Sequence, residues 1–172
     1  MARPTEPSPT TSAFELAEID EDHIKATAHG GLYMIWRRRT TLEAFTRGTL
    51  LARQLAQQLQ SKLVVCQVID VDAVPPDAET RLAFAEFLRL DCIAHSVVIH
   101  DGVGFKAASV RAIVNLQLLL AKPRFPHALY STVKQAAAAL AGAQGALGRT
   151  DTSAAIEARI SQLRALHRER FP

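Results

Sequence analysis

The chain has 172 residues, 48% hydrophobic and 22% charged, which is enough for one well-filled core and short for two. Its net charge of +3 comes from 20 basic and 17 acidic residues, and this excess is too small to indicate nucleic-acid binding without a clustered basic patch. Cys66 and Cys92 are the only cysteines, and their apolar surroundings favour free thiols over a disulfide framework. These features favour a single soluble domain in a reducing compartment.

Residues 1–13 contain Pro, Ser and Thr but no continuous apolar stretch, so we expect a disordered leader and neither a signal peptide nor an anchor. The longest apolar-rich segment, residues 107–121, is interrupted by Arg111, Asn115 and Gln117. It is also shorter than the roughly 20 residues that span a bilayer. We therefore expect no transmembrane segment and a cytoplasmic location.

The first predicted elements are short strands around a glycine turn, followed by a helix. The strand-like segments are residues 14–19, 24–28 and 32–36. Gly30 and Gly31 predict a hairpin between the last two segments. Thr40 and Glu43 have capping-box spacing and predict that a helix begins there and runs to about residue 58.

The next predicted strand, residues 62–69, is almost continuously apolar and β-branched, as expected for a central strand covered on both faces. Pro75 and Pro76 end this strand and lead into a helix over residues 77–90. Asp77 and Glu79 suit the first turn of that helix because carboxylates favour the positive end of the helix dipole.

The remaining chain continues the alternation of strand and helix. The predicted elements are a strand over 94–99, a helix over 105–121, a strand over 125–130 and a helix over 132–141 that Ser131 caps. Glycines at 142, 145 and 148 predict a flexible hinge over 142–150, after which Asp151 caps an amphipathic helix over 151–172. The pattern predicts an α/β fold with a mixed, mostly parallel sheet flanked by helices, in the order β-β-α-β-α-β-α-β-α plus an extra helix.

This order, together with several segments, resembles the STAS fold of sulfate transporters and anti-sigma-factor antagonists, and most closely its bacterial STAS-like members. The segments are GGLYMIW, TTLEAF, DAVPPDAETRLAFAEF, AHSVVIHDG and FPHALYSTVKQAAAAL, which lie within residues 14–141. In phospho-switched members of the family, a Ser or Thr at the start of the helix after this strand is phosphorylated by a partner kinase. Residues 70–79 contain neither, and four acidic residues would repel a phosphate there, so the resemblance implies a module without the usual phospho-switch.

We predict that the turn after the third main strand, together with the loop at 101–106, forms a partner-binding surface. The predicted partner-binding residues are Asp72, Asp77, Glu79, Thr80, Arg81, Asp101 and Lys106. In STAS-like domains these two loops lie at the same end of the sheet, so one partner could contact both.

Arg37, Arg38 and Arg39 precede a predicted helix N-terminus, where free amides also favour anions, and they are a weak candidate anion site. The alternative is that these arginines point to solvent, since no glycine-rich backbone accompanies them.

Catalytic and metal sites are not indicated. Cys66 and Ser96 each lie inside a predicted strand without a recognisable base or nucleophile elbow, and His95 and His100 face opposite sides of theirs. We therefore expect no catalytic residue, no metal and no cofactor.

The helix over 105–121 is apolar around most of its circumference and must be covered on more than one side. Its cover could be the C-terminal helix, a second subunit, or a lipid-like ligand lying between helix and sheet. The C-terminal helix carries an apolar stripe that we predict to govern assembly: Ile156, Ile160, Leu163 and Phe171. The sequence thus predicts a non-enzymatic, self-associating interaction or regulatory module with a protein partner, and alternatively a carrier of an apolar small molecule under the third helix.

Overall fold

The computed structural model describes residues 14–172, apart from the side chains of Lys106 and Leu120. The strands are β1 (Glu15–Ile19), β2 (His23–Ala28), β3 (Gly31–Trp36), β4 (Leu63–Ile69), β5 (Ile93–Ile99) and β6 (His127–Tyr130). The helices are α1 (Leu42–Leu59), α2 (Ala78–Phe87), α3 (Gly104–Ala121), α4 (Val133–Ala146) and α5 (Ser153–Arg170). The predicted disordered leader, residues 1–13, lies outside the described residues.

One sheet contains all six of these strands in chain order, from β1 at one edge to β6 at the other. The pairs β1–β2 and β2–β3 are antiparallel, and every later pair is parallel. The predicted α/β class and mixed sheet are confirmed. The predicted order is wrong in one respect: three strands precede the first helix instead of two, because β1 pairs along β2 as a separate edge strand.

Local signals explain the elements at the centre of the sheet. His29 and Gly30 both have positive φ, 48° and 72°, which is the backbone that a two-residue hairpin turn between β2 and β3 requires. Leu63 to Val68 of β4 are all buried, as the continuous apolar run predicts for a strand covered on both faces.

Helices cover the sheet on both sides. We call the side packed by α1, α2 and α3 the front face; its core includes Trp36, Phe45, Phe87 and Val114. The side packed by α4 and α5 is the back face, with a core that includes Tyr33 and Leu140. Alternate residues of β3 point to opposite faces, so Trp36 and Tyr33 belong to different cores. No helix in residues 14–172 is long and apolar enough to cross a membrane.

Three helix starts differ by one residue from the predicted ones. Thr41, Thr132 and Thr152 are the N-caps, and the side chain of each accepts a hydrogen bond from a backbone amide in the first helical turn. The sequence pattern placed these caps at Thr40, Ser131 and Asp151. Threonine occupies each cap because its hydroxyl reaches the amide three residues ahead.

The predicted hinge over 142–150 is wrong for its first half, because α4 continues to Ala146. Gly142 and Gly145 are therefore helical, and the turn is confined to the residues around Gly148, whose φ is 73°. Each helical glycine costs about 1 kcal/mol relative to alanine, which the alanine-rich sequence and the packing of α4 on β5 and α5 offset.

Candidate functional site

The turn between β4 and α2 is a well-defined connector. The Ala73 amide donates to the Asp70 carbonyl at 3.0 Å, and the Val74 amide donates to the Arg38 carbonyl at 2.6 Å. Asp77 caps α2, since its Oδ1 accepts a hydrogen bond of 2.8 Å from the Thr80 amide. That hydrogen bond lowers the pKa of the Asp77 carboxyl. The predicted helix start at Asp77 is therefore explained by local chemistry alone.

The inner side of this turn borders a slot on the front face, at the carboxyl ends of β3, β4 and β5. The slot lies between the sheet, α2 and α3, and residues 73–76 form one of its walls. Its volume is about 60 Å³. The side chains that line it include Trp36, Gln67, Thr80, Phe84, Val110 and Gln117. Crevices at the carboxyl ends of parallel strands are where open α/β sheets commonly bind ligands.

A buried polar pair forms the floor of the slot. The Trp36 indole Nε1 donates to Gln67 Oε1 at 3.3 Å. Because an indole N–H can only donate, this contact identifies the amide oxygen of Gln67 as the atom that faces Trp36. Gln67 Nε2 is buried and has no hydrogen-bond partner among the described residues. The Thr80 hydroxyl, beside the Asp77 carboxylate, is buried at the same slot.

The outer sides of α2 and α3 carry exposed apolar side chains. Leu82 of α2 is 70% exposed, and Leu116 and Leu119 of α3 are 57% and 73% exposed. A groove between these helices is lined by Arg81, Arg89 and Ile113 among others. We call the exposed leucines and this groove the α2–α3 face. Exposed apolar side chains clustered in this way typically mark interaction sites.

The structure gives several predicted partner-binding residues roles within the chain. Thr80 is only 1% exposed, Arg81 donates to the Pro76 carbonyl at 3.1 Å, and Asp77 is the α2 cap. Asp72 and Glu79 are exposed. The side chain of Lys106 lies outside the described residues. A partner surface made of all seven residues stays a prediction.

Asp101, another predicted partner residue, is joined to the C-terminal helix. Arg164 of α5 contacts Asp101 Oδ2 at 2.8 Å and Asp70 Oδ1 at 2.8 Å. Burial raises the pKa of Asp101, but the hydrogen bonds from Arg164 outweigh it and lower the pKa overall. The carboxylates that follow β4 and β5 are thus already paired with a guanidinium.

The three arginines predicted as a weak anion site also have acidic neighbours. Arg37 lies 3.9 Å from Asp70, Arg38 lies 3.4 Å from Glu21, and Arg39 lies 3.1 Å from Asp22. Their charges are directed towards carboxylates of the same chain, and Arg38 and Arg39 both contact Glu21, so the structure brings no shared anion pocket together at these side chains.

The assembly stripe predicted on the C-terminal helix is wrong. Ile156, Ile160 and Leu163 are at most 1% exposed and belong to the back-face core. Phe171 is half-buried, with its ring centroid 5.3 Å from that of His167. The apolar stripe is covered by the sheet and α4 of its own chain, which leaves none of these isoleucines and leucines for a second subunit.

A buried ion pair fastens α5 to the back face. Arg159 Nη1 donates to Asp151 Oδ2 and to the Tyr33 hydroxyl, both at 2.7 Å, and Nη2 donates to Asp151 Oδ1 at 3.1 Å. Arg159 is 2% exposed. Burial raises the pKa of Tyr33, so its hydroxyl stays protonated while it accepts from Arg159.

A cluster that sequence reasoning missed lies at the β1–β2 edge. Oxygens of Glu18 and Asp20 and a ring nitrogen of His23 lie within 4.8 Å of one another. Lys25 Nζ lies 2.5 Å from Glu18 Oε2, and Arg47 contacts the other oxygen. Burial alone would raise the pKa of Glu18, but these hydrogen bonds lower it to about 2. Two cations therefore already neutralise the cluster, which argues against a metal ion there.

The nucleophile candidates are deeply buried. Cys66 is 1% exposed and burial raises its thiol pKa to about 12, and Ser96 is fully buried. His100 faces the backbone, with Nδ1 2.8 Å from the Ile69 carbonyl oxygen. None of these groups has an accessible position next to a base among the described residues.

Gln67, the central polar group of the slot, was also missed by sequence reasoning. The signal was present: a glutamine interrupts an otherwise apolar strand that is buried on both faces. Such a residue needs a partner on one of the two faces.

Comparison with family models, curated proteins and solved structures found no match to this chain.

Proposed function

We propose that this chain is a non-enzymatic interaction module that self-associates through the α2–α3 face. The observation that carries the proposal is the uneven distribution of exposed apolar side chains. Of the eleven large hydrophobic residues that are exposed in the described chain, seven lie between residues 71 and 119: Val71, Val74, Leu82, Val103, Phe105, Leu116 and Leu119. Leu82, Leu116 and Leu119 of these lie on the α2–α3 face, and the others lie in the adjoining turns or at the start of α3. Apolar side chains exposed together on one face favour burial against a protein surface.

Charge arrangement favours a second copy of the same chain as the partner. Glu79 and Glu86 are exposed on α2 together with Leu82, at spacings that place all three on one side of the helix. Arg81 and Arg89 line the groove on the neighbouring side. A twofold axis perpendicular to α2 would place the two copies of this helix antiparallel and bring Glu79 of one copy towards Arg89 of the other, so the surface would be complementary to itself.

The bacterial STAS-like type, a cytoplasmic location and a regulatory role belong to the same proposal. Support comes from the element order and from the helix that follows the acidic turn. Thr80, the residue of α2 that carries a hydroxyl, is 1% exposed and therefore inaccessible to a kinase in this conformation. Association would then depend on concentration or on a ligand, without phosphorylation of this turn.

Sedimentation equilibrium of the full chain tests the proposal. We expect a dimer, and we expect Leu82→Glu and Leu116→Glu each to weaken dimerisation at least tenfold, because a carboxylate would be buried in an apolar contact. Leu50→Glu is the matched control, since Leu50 is 54% exposed on α1 and lies outside the α2–α3 face.

A monomer at concentrations of several hundred micromolar would contradict self-association. Equal weakening by the Leu50 substitution would show that the effect is a general one of added charge, and would remove the α2–α3 face as the contact.

A further inference from the structure

The slot on the front face contains a buried amide group that lacks an acceptor. Gln67 is 3% exposed, and its oxygen is occupied by the Trp36 indole. Its nitrogen carries two N–H donors without a partner among the described residues. Leaving a buried donor unpaired costs more than a typical hydrogen bond contributes, so the site favours any molecule that brings an acceptor.

The chemistry of the walls limits what that molecule can be. Aromatic rings of Trp36, Phe45 and Phe84 and aliphatic side chains such as Val98 and Val110 surround the amide. No charged side chain lines the slot. An ionised carboxylate, phosphate or ammonium would lose its hydration there and find no counter-charge.

We propose that the slot binds a small neutral molecule that is largely apolar and carries one carbonyl oxygen. The oxygen accepts a hydrogen bond from Gln67 Nε2, and the apolar part packs against the aromatic rings. Ketones, esters and amides fit this description, whereas fatty-acid anions, phospholipid headgroups and nucleotides do not. The slot is formed within one chain and its proposal does not rest on self-association, but Ile113 and Gln117 line both the slot and the groove of the α2–α3 face, so ligand entry and dimerisation would influence each other.

Entry of such a molecule requires α3 to move outward. The present volume of about 60 Å³ holds only a few atoms. Val110, Val114 and Gln117 form the α3 wall, and the opposite side of α3 carries the exposed Leu116 and Leu119. Leu116 and Leu119 are 57% and 73% exposed, so in a single copy of the chain an outward shift of α3 meets little packing on that side.

The test uses three probes of similar size and different polarity: acetophenone, benzoate and ethylbenzene. Trp36 is the only tryptophan, so its indole N–H gives one resolved NMR signal from inside the slot. We expect that signal to shift and saturate with acetophenone. We expect affinity for ethylbenzene to be about tenfold lower, because the hydrocarbon lacks the acceptor, and no shift with benzoate at neutral pH.

Two variants distinguish a hydrogen bond between Gln67 and the probe from burial of the probe in the apolar slot. Gln67→Leu should bring the affinity ratio of acetophenone to ethylbenzene to about one, a result that a purely structural role of Gln67 would not produce. Val110→Phe, which fills the slot, should abolish the response to both probes while thermal unfolding confirms that the protein is folded.

Absence of any saturating shift up to millimolar probe would overturn the proposal, as would equal affinities of the wild-type protein for acetophenone and ethylbenzene. Preferential binding of benzoate would show instead that the site accepts anions. Failure of self-association in sedimentation would leave this proposal standing, because every residue that lines the slot belongs to the same chain.

Discussion

The two faces of the sheet differ in how far their polar and apolar groups are covered within the chain. On the back face, Arg159 is buried with Asp151 and Tyr33, and Arg164 lies between Asp70 and Asp101. On the front face, Gln67 Nε2 has no acceptor among the described residues, and leucines of α2 and α3 are exposed. Both faces hold a buried glutamine whose amide nitrogen has no partner among the described residues, Gln144 on the back and Gln67 on the front, but only the front face joins it to an apolar slot and to exposed leucines.

This difference indicates where binding is expected. A buried ion pair contributes little net stability but is costly to break, so it holds α5 in one arrangement. An apolar slot under a helix with an uncovered outer side can change shape at lower cost. We therefore expect the back face to act as a scaffold and the front face to be the side on which the proposed ligand and partner bind.

The largest expected effect comes from breaking the back-face ion pair. Arg159→Met should destabilise the fold by about 3 to 5 kcal/mol, because it leaves the Asp151 carboxylate buried without its cation. Urea unfolding measures the change. Arg168→Met, at an exposed position of the same helix, is the control and should change stability by less than about 0.5 kcal/mol. A loss below about 1 kcal/mol for Arg159→Met would mean that the pair does not hold α5 in place.

A smaller effect, on the pH dependence of stability, is expected from His127 on the front face. Burial, with a minor contribution from neighbouring His95, lowers the pKa of His127 from 6.5 to about 4. The unfolded chain therefore binds a proton in this range that the folded chain does not. The contribution of neutral His127 is fully present above pH 6.5 and is lost as the pH falls towards 4.

We expect that loss to be about 2 kcal/mol, less than the full shift implies because the ring is only partly buried. Urea unfolding between pH 4 and 7 measures it, and His127→Gln should flatten the pH dependence by the same amount. If the variant keeps the wild-type slope, the titrating group lies elsewhere.

The smallest expected effect is a difference in reactivity between the thiols of Cys66 and Cys92. Cys66 lies in the back-face core with a pKa of about 12, whereas Cys92 is half-buried at the edge of the front-face core. A thiol reagent should modify one cysteine in the native protein, slowly because burial also raises the pKa of Cys92, and two after unfolding. Mass mapping of the modified peptide identifies the site. Native modification of Cys66 would show that the back face opens more readily than its packing indicates.

Much of the fold could be predicted because its signals are local. The hairpin was predicted from Gly30 and Gly31, although its two turn residues are His29 and Gly30. The strand β4 follows from a run that is apolar except for Gln67 and ends before Pro75 and Pro76. The hinge and the assembly stripe, both in the C-terminal region, were predicted wrongly. An apolar stripe on α5 looks the same whether it packs on its own sheet or on another copy, and two glycines in α4 gave a turn signal that packing overrode.

The sequence by itself determined the alternation of strands and helices, the α/β class and the acidic turn that starts α2, because each depends on residues a few positions apart. Only the tertiary structure decided which side chains meet. Tyr33 bonds Arg159 across 126 positions, and Trp36 bonds Gln67 across 31. Such contacts leave no local pattern, since they depend on strand register and on which face a helix covers. The paired back face and the open front face are therefore properties of the fold.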